Sequence, residues 1–150
     1  MRINMTVAPD GLSYVSDVKD LTLPSRAREN GELVVAEAHK ECPYTIARVF
    51  TVRAAAGAVR GRHAHRQCSQ FMICVHGAIE VTCDDGAAQK TFSLDRGNKA
   101  LLVPPGIWAT ETYLVDGSVL SVLCDRPYEE DDYMRDFEAF LEWRRSGGDA

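Results

Sequence analysis

Between about Tyr44 and Asp125 the chain is built from short apolar and β-branched runs separated by turn residues, over 45–52, 70–75, 78–83, 90–94, 100–103 and 118–124. Regularly spaced runs of this kind predict the strands of a β-sandwich or barrel. Asp84-Asp85-Gly86 falls between two of them and reads as a hairpin turn, because Asp and Gly tolerate the positive φ values that tight turns demand. The pattern changes at the C-terminus. Four acids at 129–132 precede Tyr133, Phe137, Phe140 and Leu141 at helical spacing, and Arg144 and Arg145 close the run. Acid-first, base-last order suits a helix dipole, so a helix is predicted over about 129–145, its acids a solvated first turn and its aromatic stripe docked on the barrel. Residues 1 to about 43 hold one probable strand, 32–36, and the barrel proper is expected over about 44–126. No repeat or linker divides the chain, which reads as a single domain over 1–150.

Composition narrows the class without assigning chemistry. A chain of 150 residues with 45% hydrophobic and 26% charged residues can bury a core and is not a disordered tail. It has no apolar run of membrane-spanning length, and its polar start, Met1-Arg2-Ile3-Asn4, lacks the apolar stretch of a signal peptide. A soluble, cytoplasmic protein without a membrane partner is expected. The net charge of −5 argues against nonspecific nucleic-acid binding, which needs a positive surface. The five cysteines, Cys42, Cys68, Cys74, Cys83 and Cys124, are odd in number and include no CxxC pair, so they suggest neither a disulfide framework nor a thiolate zinc site. Cys74 and Cys83 read as small buried hydrophobes, and His39 and His76 as surface residues.

Chemistry concentrates at Gly57-Ala-Val-Arg60-Gly61-Arg62-His63-Ala64-His65, followed by Gln70 and Gly77. On a strand, His63 and His65 point to one face and deliver two imidazoles into one cavity. Arg60 and Arg48 are candidate planar donors for phosphate or carboxylate groups. The spacing resembles the first cupin motif, with Gln70 in place of its glutamate. Gly97 and Pro104-Pro105-Gly106 resemble the second motif, with Ala109 where its histidine would stand. Two of four metal ligands are thereby missing, which leaves fewer than a catalytic transition metal normally takes from protein. No metal is expected, and the imidazoles are left free for proton transfer; a metal site completed by an unexpected ligand such as Glu111 is the contrary reading.

A narrower resemblance follows from Arg60-Gly-Arg-His-Ala-His-Arg66, from Pro43 with Ile46-Ala-Arg-Val49, and from Gln70 to Gly77, Asp84-Asp-Gly86, Trp108 and Tyr128-Glu-Glu-Asp-Asp-Tyr-Met-Arg135. This ordered series, over about residues 30 to 143, resembles the nucleotide-sugar 3,4-ketoisomerases, or WxcM-like cupins. The resemblance implies an all-β jelly-roll cupin barrel with a short C-terminal helix. It also implies conversion of a dTDP-4-keto-6-deoxyhexose to its 3-keto isomer, no metal or cofactor, and a homodimer with exchanged N-terminal strands. By the same resemblance His63 and His65 are the paired active-site histidines, Arg60 lies beside them, and Gln70 and Trp108 line the cavity. The expected chemistry has His65 moving a proton from C3 to C4 while His63, helped by Arg60, serves the enediol oxygens. Phe50-Thr51 stands where the family has a tyrosine pair, and Trp108-Ala-Thr-Glu111 replaces its Trp-x-Glu-Met. A nucleotide-sugar 3,5-epimerase is the alternative enzyme, but it pairs a His-Asp couple with a tyrosine, and the linear sequence shows no such couple near His63 or His65. A binding cupin that senses a sugar nucleotide is the non-enzymatic alternative.

Overall fold

The computed structural model describes residues 12–149, so the polar start lies outside the described residues. Twelve strands are found among them: β1 (Lys19–Thr22), β2 (Ser25–Arg28), β3 (Gly31–Val34), β4 (Arg48–Ala54), β5 (Val59–His65), β6 (Gln70–His76), β7 (Ile79–Asp84), β8 (Gln89–Leu94), β9 (Lys99–Val103), β10 (Trp108–Tyr113), β11 (Ser118–Cys124) and β12 (Tyr133–Met134). One sheet runs β1-β9-β6-β11-β4 and the other β12-β5-β10-β7-β8, all pairs antiparallel. β2 and β3 form a separate hairpin. This is the expected all-β, cupin-like barrel.

Alternation along the strands makes the core. Ile79, Val81 and Cys83 on β7 face Leu120, Val122 and Cys124 on β11, with Met72, Cys74, Leu101, Val103, Phe92 and Tyr113 filling the space between. The strands at 70–75, 78–83, 90–94, 100–103 and 118–124 lie where the pattern puts them, and the 45–52 run becomes β4. The hairpin turn at Asp84-Asp-Gly86 also holds. Asp85 accepts the backbone N–H groups of Ala87 and Ala88, and from across the fold that of Val15 at 2.8 Å. All five cysteines are buried and reduced, and His39 and His76 are exposed.

The C-terminal segment departs from the expected continuous helix. Glu130–Asp132 makes one 3-10 turn, Tyr133 and Met134 add an edge strand against His65 and Ala64, and only then does α1 (Phe137–Arg145) begin. Asp136 caps it by accepting the Ala139 N–H at 2.8 Å. Phe140 is fully buried with Ala64 and Met134, and Trp108, Leu141 and Trp143 close over them, so the helix clamps β12 onto β5. Arg144 pins its far end by donating to the Ser13 and Gly106 carbonyls.

Because Phe140 holds both α1 and β12, Phe140→Ala is expected to cost about 3–5 kcal/mol, the usual range for emptying a buried aromatic site. Urea denaturation reads this directly, and a cost under about 1 kcal/mol would contradict the clamp.

Candidate active site

β5 does not run as a regular strand. Thr110 pairs with Gly61 but Ala109 pairs with His63, which leaves Arg62 as the extra residue of a β-bulge. Gly61 and Arg62 both take positive φ, +80° and +57°. The bulge resets the side-chain phase. In a regular strand Arg60, three residues before His63, would face away from it; here Arg60 lies opposite Glu111 and His63 opposite Ala109, both inward positions of β10. Arg60, His63 and His65 therefore share the inner face.

The two imidazoles meet edge to face, centroids 5.1 Å apart, and the Tyr133 ring packs on both, 5.1 Å from His63 and 4.3 Å from His65. His65 donates through Nδ1 to Asp132 Oδ2 at 2.9 Å. The same carboxylate accepts the backbone N–H groups of Gln67 at 2.6 Å and Cys68 at 3.3 Å. His65 Nε2 is buried and has no hydrogen-bond partner among the described residues. Burial, the chief cause, lowers the pKa of His65 against the opposing pull of Asp132, and Arg48 and Arg135 lower it further. His63 is lowered to about 4 by burial, then by His65 and Arg135, although it donates to the Gly61 carbonyl. Both rings are thus neutral at physiological pH. In His65 the proton sits on Nδ1 and the Nε2 lone pair stays free. That is the form a general base requires.

Two arginines frame the rings. Arg48 on β4 points Nη2 at the Tyr133 hydroxyl (3.4 Å) and Cys124 Sγ (3.6 Å), and its buried Nε has no partner among the described residues. Arg135 lies 4.3 Å over the Tyr133 ring and forms a fork with Glu130 at 3.0 and 3.1 Å, while Tyr128 also donates to Glu130.

The model of the FdtA: WxcM-like, C-terminal family matches residues 16–145. The chain belongs to this family. It is 32% identical over 114 residues to the TDP-4-oxo-6-deoxy-alpha-D-glucose-3,4-oxoisomerase of Aneurinibacillus thermoaerophilus, a match covering 75% of this chain and 82% of that protein. A 3,4-ketoisomerase from Helicobacter canadensis superposes with a TM-score of 0.82 at 30% identity, over 86% of this chain and 98% of that one. ChmJ, a 3'-monoepimerase from Streptomyces bikiniensis, shares the fold alone, with a TM-score of 0.71 at 17% identity over 77% and 67% of the two chains.

Within this WxcM-like barrel the structure brings His63, His65, Arg48 and Arg60 to one region, and buries Gln70 beside Cys124 on the inner face. Trp108 is not brought there. It sits one residue out of phase with Ala109, packed edge to face on Phe137 and tilted against Phe140 beneath α1. Arg66 also leaves the site, to pair with Asp149. Sequence reasoning missed Asp132, Tyr133 and Arg135. Glu129, Glu130 and Asp131 are solvated as expected, but they belong to the 3-10 turn and not to the start of α1, and the Asp132 side chain is only 9% exposed. A His-Asp couple with a tyrosine beside it therefore exists after all, joined across 67 residues. The stretch 128–135 carried the signal, in the quoted Tyr-acid-Asp-Tyr-Met-Arg motif. Among the described residues, His65, Cys68 and Asp132 form the one group of three or more potential metal ligands, and it involves neither Gln70 nor Glu111.

Glu111 is buried against Gly61, where any Cβ would collide with its carboxylate. Burial pushes its pKa up to about 7, against its own backbone N–H and the Arg60 charge. The folded state then holds this proton more tightly than the unfolded chain, so its contribution to stability is complete below about pH 4.5 and is lost as pH rises through about 7. Glu111→Gln removes that loss. Thermal melts from pH 5 to 8 are expected to show the variant gaining on the parent by roughly 3 kcal/mol at most; parallel curves would contradict the buried acid.

Proposed function

We propose that the chain is a nucleotide-sugar 3,4-ketoisomerase that converts a dTDP-4-keto-6-deoxyhexose to its 3-keto isomer. The observation that carries the proposal is the free, buried Nε2 of a neutral His65 whose Nδ1 proton is committed to Asp132. Family membership, and the activities named for the relatives from Aneurinibacillus and Helicobacter, support the substrate class.

In this reading His65 Nε2 takes the C3 proton and the C3–H electrons form the C3–C4 double bond of an enediolate, its charge on the C4 oxygen. Donors facing that oxygen stabilise it. Arg60 and the Arg48–Tyr133 pair are the cations and hydroxyl available on this face. His63 uses the ring nitrogen not bonded to Gly61 to accept the proton of the 3-hydroxyl. His65 returns its proton to C4 as the C3 oxygen becomes the carbonyl, and His63 passes the former 3-hydroxyl proton to the C4 oxygen, which leaves a ketone at C3, a hydroxyl at C4 and both imidazoles neutral. Gln70 lines the inner wall. No step calls for a metal or a cofactor, and the location that suits a nucleotide-sugar substrate is cytoplasmic. Among the described residues no helix is long and apolar enough to cross a membrane.

The His65–Asp132 couple beside Tyr133 also favours a second reading, nucleotide-sugar 3,5-epimerase, because that chemistry uses the same groups. Turnover in deuterated water separates the two. Carbonyl transfer from C4 to C3 is expected, whereas deuterium at C3 and C5 without carbonyl movement would establish the epimerase, and binding without exchange a sensor. His65→Asn is expected to lower turnover by about 10²–10⁴-fold, the usual contribution of a general base, with dTDP affinity nearly unchanged. Near-normal turnover would remove His65 as the base.

A homodimer with exchanged N-terminal strands completes the proposal. The β2–β3 hairpin is solvent-exposed along nearly its whole length, and an isolated hairpin is marginal in water. Leu33 and Val49 are each 58% exposed, and Val34, Ala36, Ile73 and Val75 line a groove of about 420 Å³ at the foot of the hairpin. A second copy of the hairpin is the occupant these surfaces suit. Light scattering is expected to give a dimer for the parent and a shift to monomer for Leu33→Glu; a monomeric parent would contradict the exchange.

A further inference from the structure

His65 has a second face. Its Nδ1, the Cys68 thiol and the Asp132 carboxylate lie with all three ligand atoms within 4.8 Å of one another, and all three residues are buried. His65 and Cys68 flank the turn between β5 and β6, and Asp132 reaches it from the 3-10 turn before β12. Next to them is a cavity of about 130 Å³ lined by Arg66, Gln67, Glu129, Asp131 and Asp132. It shares Asp132 with the cluster, and Gln67 is the chain neighbour of Cys68. The one cation on its wall is already held by Asp149 at 3.1 Å. An acid-lined cavity thus adjoins the cluster at Asp132.

We propose that this cluster is an inhibitory site for a thiophilic divalent cation of the zinc class, held by His65 Nδ1, Cys68 Sγ and Asp132, with water or a cavity carboxylate as fourth ligand. Imidazole, thiolate and carboxylate are the donor types zinc takes, at bond lengths of about 2.0–2.3 Å. Such bonds set ligand atoms about 3.5 Å apart; the His65–Asp132 pair opens from 2.9 Å to reach this, and no pair starts more than 4.8 Å apart, so side-chain rotation suffices. Binding displaces two protons, the Nδ1 hydrogen now given to Asp132 and the thiol hydrogen now given to the Ser69 carbonyl. Cys124, which accepts from Arg48 at 3.6 Å, stays outside the set. The ion would put positive charge on the ring whose Nε2 acts as the base and occupy the carboxylate that orients it. The site differs from the cupin metal position, which would use the inward nitrogens.

The inhibitory consequence rests on the role proposed for His65; the binding does not, and the experiment reads them separately. The full-length protein, free of added thiols, is titrated with cobalt(II) and followed by absorption. The expected result is a thiolate-to-cobalt charge-transfer band saturating at one ion per chain and bleached by zinc(II). Cys68→Ser keeps a hydroxyl donor for the Ser69 carbonyl, and Cys68→Ala is the second variant should either fold poorly. Both are expected to lose the band and to need at least about tenfold more zinc(II) for half-inhibition of isomerisation, since losing a ligand costs no less than losing a group that merely orients one. Absence of the band in the parent, or its persistence in both variants, overturns the site. A Cys68-dependent band with turnover insensitive to zinc(II) overturns the inhibition. Absence of isomerisation in the metal-free parent overturns the proposed function and leaves the cobalt result standing.

Discussion

The Asp132 carboxylate joins the two parts of the site. A buried charge is tolerated only when enough donors surround it, and Asp132 has three: the His65 Nδ1–H and the backbone N–H groups of Gln67 and Cys68. Those contacts draw residues 128–135 out of helical geometry. The chain makes a single 3-10 turn to present Asp132, pairs Tyr133 and Met134 with His65 and Ala64, and begins α1 only at Phe137. The Arg66 N–H donates to the Asp132 carbonyl at 2.9 Å, so backbone and side chain bind the same turn. Tyr133 is thereby set on both imidazoles and Arg135 on Tyr133. Loss of that carboxylate would strand three donors at once and free the segment carrying the other site groups.

The second constraint is the bulge at Gly61–Arg62. Antiparallel partners share a face, so a strand without the extra residue would put either Arg60 or His63 outside the barrel. A non-glycine residue at positive φ, as Arg62 is, is held in a sparsely populated conformation that costs free energy unless its surroundings enforce it. Here the enforcement comes from both neighbours: β10 pairs on one edge of β5, and β12, clamped by α1, pairs on the other. Gly61 is required for a different reason, since the Glu111 carboxylate occupies the space a side chain would need.

Much of this was legible in the sequence, and what was not has physical causes. The core strands announce themselves because Ile79, Val81 and Cys83, or Leu120, Val122 and Cys124, repeat at period two. β10 does not, because its inward set is Ala109, Glu111 and Tyr113 and its outward set includes Thr110 and Thr112, so polarity fails to alternate. β5 carries Arg60, Arg62, His63 and His65, and only the histidines betray it. The tail met the helical template in charge order and aromatic spacing, yet a contact between residues 67 positions apart overrode it. No local pattern contains that contact. The same limit explains Trp108, whose outward direction follows from strand phase and the docking of α1.

Arginine placement within an acidic chain bears on how the base is kept ready. Burial first, and then Arg48 and Arg135, holds His65 in the neutral form, and Arg135 acts on His63 in the same sense. Neutrality is necessary for proton abstraction, but a lowered pKa also makes a weaker base. An anionic sugar nucleotide lying against those arginines would offset their charge on the rings, and the pKa of each imidazole would rise toward the range where a base is both free and strong. The pull of Asp132 on His65 already acts in that direction. On the proposed function, arginines that would attract the ligand would thus also be the groups whose neutralisation by it strengthens the base, which would tie proton-abstracting power to occupancy of the site.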